Sequence, residues 1–91
     1  MRFDWAPWKA ETNRRKHGLT FGFGTRVFDD PRRVDVDASR DEDGEHRRKA
    51  IGAIDGKLYS VVYTFRDPVI WMISVRRTNP KEDRLYADLC P

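Results

Sequence analysis

Three arginines in the C-terminal third of the sequence are the clearest candidates for chemistry: Arg66 and the adjacent pair Arg76 and Arg77. A guanidinium presents a planar set of N–H donors that matches phosphate oxygens, and it stays charged at any relevant pH. Placed among aromatic rings, such a group could hold a phosphate while a base stacks beside it. The alternative for these arginines is an ion pair with a nearby carboxylate: Asp67, Glu82 or Asp83.

Histidine and tyrosine side chains supply candidates for proton transfer. A neutral imidazole can accept or donate a proton near pH 7, which makes His17 and His46 candidates. The alternative for His17 is a helix C-terminal position, where the ring interacts favourably with the helix dipole. His46 lies in a charged segment and is expected to be solvated. Tyr86 lies one turn after Glu82 on a predicted helix, where it could equally belong to the core.

The charge of the chain is unevenly distributed. There are 18 lysines and arginines against 15 aspartates and glutamates, for a net charge of +3. The basic residues form four runs, at 14–17, 32–33, 46–49 and 76–77, and acidic residues collect between positions 35 and 45. One basic run is ordinary solvated surface, but four in a small domain favour an acidic partner, either a nucleic acid or an acidic protein.

Several kinds of site are excluded by residue spacing. A calcium loop that begins at Ser39 would place Ala50 at its twelfth position, where a glutamate is needed. Val27 stands where a dinucleotide-binding loop beginning at Gly22 would need its third glycine. The single cysteine, Cys90, forms neither an internal disulfide nor a thiol–metal cluster. The sequence therefore predicts no metal site and no cofactor.

Size and composition predict one folded domain over residues 1–91. The chain has three Trp, three Tyr and five Phe, and such side chains bury enough apolar surface to argue against disorder. No window approaches the length of a membrane span, and the N-terminus lacks the apolar core of a signal peptide. We therefore expect a cytoplasmic protein.

The N-terminal part of the chain predicts a short strand and two helices. Phe3 and Trp5 alternate with polar residues, as on a strand with one buried face. Pro7 suits the first turn of a helix that runs to about residue 16, and Gly18 ends it. Thr20 can cap a second helix that runs to about residue 28.

The rest of the chain predicts four strands and a final helix. Strand composition is found at 34–37, 47–54, 57–66 and 69–76. Asp55-Gly56 is a strong signal for a hairpin turn, and short connections between consecutive strands imply an antiparallel meander. The last helix has its own start signal and apolar stripe: Asn79 as cap, Pro80, Glu82, then Leu85, Tyr86 and Leu89.

These elements predict an α+β fold, with an antiparallel meander packed by two N-terminal helices and one C-terminal helix. A two-residue loop at Asp67-Pro68 would place Arg66 and Thr64 on one face with Arg77. Arg76 would then lie with Tyr63 and Phe65 on the other face. We expect the guanidinium groups to converge near the C-terminal edge of the sheet.

Four sequence blocks, spread over nearly the whole chain, together resemble one known family. They are Phe3-x-Trp5; Lys9-Ala10-x-x-Asn13-x-x-Lys16-His17-Gly18-Leu19-x-Phe21; Val27-Phe28-x-Asp30-Pro31; and Ile73-Ser74-Val75-Arg76-Arg77 with Glu82 and Tyr86. In this order and at this chain length they resemble the BrnT family. The resemblance implies a RelE-like fold and an endoribonuclease toxin of a type II toxin–antitoxin module that inhibits translation. Because RNA carries its own nucleophile in the 2′-hydroxyl, we expect the cleavage to need no metal.

The resemblance also implies partners. These are an RNA substrate and a BrnA-like ribbon-helix-helix antitoxin, with two toxins bound to an antitoxin dimer. Operator DNA would be contacted only through the antitoxin.

The catalytic candidates are carried over from the family by motif. His17, Arg66, Arg76, Arg77 and Tyr86 are expected to be catalytic, the arginines on the phosphate and backbone and His17 or Tyr86 in proton transfer. RNA-binding side chains are expected to include the following: Lys16, Arg48, Lys49 and Thr64. The open alternative is a non-catalytic nucleic-acid-binding or interaction module, because binding and catalysis use the same residue types on phosphate.

Overall fold

A five-stranded mixed sheet and three α-helices make up the part of the chain described by the computed structural model, residues 1–89. The strands are β1 (Arg2–Asp4), β2 (Val34–Asp37), β3 (Arg48–Ile54), β4 (Lys57–Arg66) and β5 (Val69–Arg77). The helices are α1 (Pro7–His17), α2 (Phe21–Gly24) and α3 (Pro80–Leu89), with 3₁₀ turns at Thr25–Asp29 and Asp41–Asp43. Cys90 and the side chain of Leu89 lie outside the described part. No helix within residues 1–89 is long and apolar enough to cross a membrane.

The strand order is β1-β5-β4-β3-β2. The predicted antiparallel meander is confirmed for β2 to β5, but the expectation of a wholly antiparallel sheet is wrong, because β1 pairs with β5 in parallel. Short loops dictate the direction of consecutive strands, whereas β1 is separated from the rest by two helices and is free of that constraint. The RelE-like relationship stays a prediction.

The α1 helix begins and ends where the sequence predicts. Pro7 opens it, and Gly18 closes it in the left-handed conformation with φ at 70°. Its buried residue, Asn13, binds the free edge of β5: the amide Nδ2 donates to the Val75 carbonyl at 2.9 Å, and Oδ1 accepts from the Val75 N–H at 3.0 Å. The side-chain amide takes the place of a neighbouring strand's peptide group and fixes the helix beside the sheet.

The second predicted helix is shorter than expected. Thr20 does cap it, with its hydroxyl oxygen accepting from the Phe23 N–H at 3.0 Å, but the α-helical part ends at Gly24 and continues as a 3₁₀ turn. Gly24 packs directly on β5, and a Cβ there would lie 2.5 Å from a methyl group of Val75. Close contact with the sheet, together with weak helix propensity at the glycines, explains the short element.

The hydrophobic core lies on one face of the sheet. Phe21, Val27 and Phe28 from the second helical segment cover the face formed by Ala50, Val61 and Val75, among others. The Asp55-Gly56 hairpin has positive φ at both residues, as predicted. On the other face, α3 starts with the predicted capping box: Asn79 Oδ1 accepts from the Glu82 N–H, and Glu82 Oε1 accepts from the Asn79 N–H. This opposite face of the sheet is only partly covered by α3.

Candidate active site

An open cleft of about 490 Å³ lies between α1, the loop that joins β2 to β3, and the sheet face opposite the aromatic core. Six of the side chains that line it are cationic: Lys9, Lys16, Arg40, Arg47, Lys49 and Arg76. Trp8, Thr12 and His17 also line it from α1, and none of the described residues that line it is an aspartate or glutamate. The cleft has the charge of a binding site for a polyanion.

The floor of the cleft follows from strand alternation. Lys49, Val62 and Ser74 lie side by side on β3, β4 and β5. Their neighbours Ala50, Val61 and Val75 are fully buried in the core on the other face. Because successive side chains point to opposite faces, Lys49, Val62 and Ser74 point away from the core and line the cleft.

A buried carboxylate links two cations of the floor. Glu82 is 1% exposed, and its carboxylate accepts from both Nη atoms of Arg76 at 2.7 and 2.8 Å and lies 2.8 Å from Lys49 Nζ. We call this trio the Lys49–Glu82–Arg76 cluster; its net charge is +1. The ion-pair alternative for Arg76 is therefore the observed one, and the pair holds the guanidinium rigidly with its side chain still 31% exposed.

The environment of Glu82 sets its ionisation. Burial alone would raise the pKa of this carboxyl, but hydrogen bonds from Arg76, Lys49 and the Asn79 N–H outweigh it and lower the pKa from an ordinary value of 4.5 to about 2. The carboxylate is thus ionised at neutral pH.

This pKa shift predicts an acid-dependent loss of stability. A carboxyl whose pKa is lowered on folding stabilises the protein fully above its ordinary pKa, and that contribution disappears as the pH falls through the folded-state value. We expect the free energy of unfolding, measured by urea titration, to fall between about pH 5 and pH 2. The fall should be smaller in Glu82→Gln; an identical pH profile for the two proteins would contradict the assignment.

A β-bulge overturns the predicted facing of the arginines. The hairpin at Asp67-Pro68 has the expected two-residue loop, but Val62 pairs with Ser74 while Tyr63 pairs with Met72, so Ile73 is an extra residue on β5. Beyond a one-residue shift every side chain changes face. Arg76 consequently lies opposite Ser60 and faces the cleft, whereas Arg77 lies opposite Tyr59 on the other side.

The expected convergence of Arg66, Arg76 and Arg77 is therefore wrong. Arg77 lies over the ring of Tyr59, 5.3 Å from its centroid, and its Nε donates to the Leu58 carbonyl. Arg66 lies at the far end of β4, six residues or about 20 Å from the position opposite Arg76. There its guanidinium lies 4.5 Å from the centroid of the Trp71 ring.

Three further residues that were predicted to act on RNA lie outside the cleft. The Tyr86 hydroxyl donates to Asp30 Oδ2 at 2.7 Å, and the Thr64 hydroxyl donates to the His46 carbonyl at 2.8 Å. Arg48 lies opposite Tyr63, on the core side of the sheet. These side chains hold elements of the fold together, and none of them lines the cleft. Their predicted roles on RNA stay predictions and would be exerted from outside the cleft, as would those of Arg66 and Arg77.

Of the residues predicted from the sequence, the cleft brings together Lys16, His17, Lys49 and Arg76. His17 is exposed at the last position of α1, as its helix-end alternative also required. His46 is outside the lining, where its Nδ1 lies 2.7 Å from the Ser39 hydroxyl.

The lining residues that were not anticipated as site residues include one aromatic and three cationic side chains: Trp8, Lys9, Arg40 and Arg47. Lys9, Asn13 and Lys16 are spaced four and three residues apart, so they lie on one face of α1. Once Asn13 is known to face the sheet, this spacing predicts that both lysines lie on the same side of the helix. The loop residues are brought in by the pairing of β2 with β3, which continues as a hydrogen bond from the Ala38 N–H to the Arg47 carbonyl.

The cations of the cleft differ in how far they are neutralised. Arg40 and Arg47 form ion pairs with Asp43, and the two floor cations share Glu82. Lys9 and Lys16 on α1 have no ion pair with any described carboxylate. The α1 wall, with His17 at its end, therefore carries the least compensated positive charge of the cleft.

The sequence of the chain matches a known protein family. Residues 5–82 match the family model described as ribonuclease toxin, BrnT, of type II toxin-antitoxin system. A comparison with curated proteins gives no match. The matched region spans most of the chain and contains every residue that lines the cleft, together with Glu82. The resemblance read from the sequence blocks is thereby confirmed, and the chain belongs to the BrnT family of ribonuclease toxins of type II toxin–antitoxin systems.

Proposed function

We propose that the basic cleft is the site at which this toxin binds and cleaves RNA, as an endoribonuclease that needs no metal ion. The observation that carries the proposal is the convergence of six cationic side chains and His17 on one cleft whose described lining contains no carboxylate. A phosphodiester chain is the polyanion that such a surface suits.

The proposed reaction uses the substrate's own nucleophile. The 2′-oxygen of a ribose attacks the adjacent phosphorus, the bond from phosphorus to the 5′-oxygen breaks, and the products are a 2′,3′-cyclic phosphate and a 5′-hydroxyl. His17 transfers one of the two protons, accepting that of the 2′-hydroxyl or supplying one to the leaving 5′-oxygen, and solvent water exchanges the other. The protein must otherwise align the strand and stabilise charge that develops on the phosphate.

The Lys49–Glu82–Arg76 cluster is suited to that second task. Three N–H donors of Arg76 are occupied, two by Glu82 and one by the Arg77 carbonyl, which leaves its Nε–H and one Nη2–H for a ligand. Glu82 holds these donors in place before substrate arrives, and preorganised donors are what stabilise a transition state. Lys9 and Lys16 bind phosphates along the α1 wall.

A proposal about partners follows from family membership. A type II toxin has a protein antitoxin, and we propose that this one is a BrnA-like ribbon-helix-helix protein whose dimer binds two toxins and alone contacts operator DNA. An acidic segment of the antitoxin that covers the cleft would prevent RNA from entering and so relieve the inhibition of translation.

The test of the catalytic proposal is incubation of the purified chain with end-labelled RNA in excess chelator. We expect cleavage products with 2′,3′-cyclic phosphate ends, and no cut where the ribose before the bond is replaced by deoxyribose. A salt-sensitive mobility shift with an intact strand would identify a non-catalytic binding module instead. Loss of cleavage on chelation, restored by added metal, would overturn metal independence.

A further inference from the structure

Trp8 is the most exposed large aromatic side chain of the described residues, at 68%. The other two tryptophans are half-buried and packed: Trp5 contacts Phe21 edge-on, with the ring centroids 5.8 Å apart, and Trp71 lies beneath Arg66. A lone exposed apolar side chain is ordinary on a protein surface. Trp8 differs because it lines the basic cleft.

The backbone beneath Trp8 is well fixed. It is the second residue of α1, its carbonyl accepts a hydrogen bond from the Thr12 hydroxyl at 2.9 Å, and the helix is bound to β5 through Asn13. The neighbouring Lys9 ammonium lies 5.5 Å from the Trp8 ring centroid. A rigid helix thus presents an aromatic face beside the least neutralised cations of the cleft.

We infer that Trp8 stacks an unpaired base of an RNA strand whose phosphates lie along the cleft, so that the substrate class is single-stranded RNA. This rests on the proposed function. A basic groove that follows the backbone, joined to an aromatic side chain that stacks a base, is how proteins hold single strands. Bases inside a duplex are already stacked and do not reach a side chain at the rim of a cleft.

The inference is tested by binding without cleavage. The probe is a labelled 2′-O-methyl oligoadenylate, which has no free 2′-hydroxyl, used as a single strand and as a duplex with its complement. Fluorescence anisotropy in chelator gives both affinities for wild type, Trp8→Ala, Trp8→Phe and Phe65→Ala. Phe65 is the matched control because it is exposed at 60% and pairs with the buried Ile70 at the far end of the sheet.

We expect Trp8→Ala to weaken single-strand binding about 5- to 150-fold, the range for loss of one stacked base. Trp8→Phe should recover most of the affinity, while duplex binding and Phe65→Ala stay unchanged. The single strand should also quench the tryptophan fluorescence of the wild type, and this signal should vanish in Trp8→Ala although Trp5 and Trp71 remain.

Three results would overturn the inference. Wild-type affinity in Trp8→Ala, or an equal loss of affinity for single strand and duplex, would exclude stacking of an unpaired base on Trp8. Neither result would count against RNA binding by the basic cleft. A defect of Trp8→Ala confined to antitoxin binding would assign Trp8 to a protein interface. Failure of the wild type to bind either probe at low salt would count against the proposed function itself. The two failures are distinguishable, because the wild type still binds RNA when only the inference about Trp8 is wrong.

Discussion

Replacement of His17 by alanine is expected to lower the rate of RNA cleavage about 100- to 10,000-fold, the usual contribution of a general acid or base. His17 is the histidine that lines the cleft, and its exposed position at the end of α1 gives it no part in the core. The thermal midpoint and the affinity for an uncleavable RNA should therefore stay nearly unchanged. Single-turnover cleavage of a labelled RNA measures the effect.

His46→Ala is the matched control for this prediction. Both histidines are exposed, but His46 lies outside the cleft and contacts Ser39 in the loop before β3. We expect His46→Ala to cleave RNA at the wild-type rate. Full activity of His17→Ala would remove the imidazole from the mechanism and leave proton transfer to another group. A loss of RNA affinity equal to the loss of rate would make His17 a binding residue only.

Replacement of Glu82 by glutamine is expected to lower the free energy of unfolding by about 3–5 kcal/mol, the cost of removing one partner from a buried ion pair. In the wild type the Glu82 carboxylate is 1% exposed and lies between the Lys49 ammonium and the Arg76 guanidinium. Without its negative charge the two cations repel each other at a buried position. Glutamine can still serve in the capping box, so that the helix start is preserved and the change isolates the charge. Urea unfolding at neutral pH measures the loss.

Glu42→Gln is the control for the Glu82 prediction. The Glu42 carboxylate is exposed and lies 3.7 Å from Arg40 Nε, and exposed pairs of this kind contribute about 0–1 kcal/mol. Adding Lys49→Met to Glu82→Gln should recover part of the lost stability by removing one of the two repelling cations. A change in Glu82→Gln no larger than that in Glu42→Gln would show that the cluster does not stabilise the fold.

Three features that depend on residues close in sequence were predicted correctly. The limits of α1 follow from Pro7 and Gly18, and the hairpin turn from Asp55-Gly56. The start of α3 follows from the pairing of Asn79 with Glu82. In each case the contacts that fix the feature join residues no more than four positions apart, so a short window of sequence contains all of the interacting groups.

The candidate site shows how far such local reasoning extends. The sequence predicted a phosphate-binding site made of basic residues and a histidine. Four of the predicted residues do line one cleft: Lys16, His17, Lys49 and Arg76. The grouping of Arg76 with Arg66 and Arg77 was wrong because it assumed an unbroken register along the last hairpin. A single unpaired residue, Ile73, reverses the facing of both Arg76 and Arg77.

The sequence by itself determined the limits of α1, the start of α3, the Asp55-Gly56 turn and the family, because these depend on short-range contacts and on the order of motifs. Only the tertiary structure decided the parallel pairing of β1, the bulge, the burial of Glu82 between Lys49 and Arg76, and the assembly of a cleft from α1 and the loop before β3. Those features join residues tens of positions apart. Their energies depend on packing and register across the whole sheet, which no short window of sequence specifies.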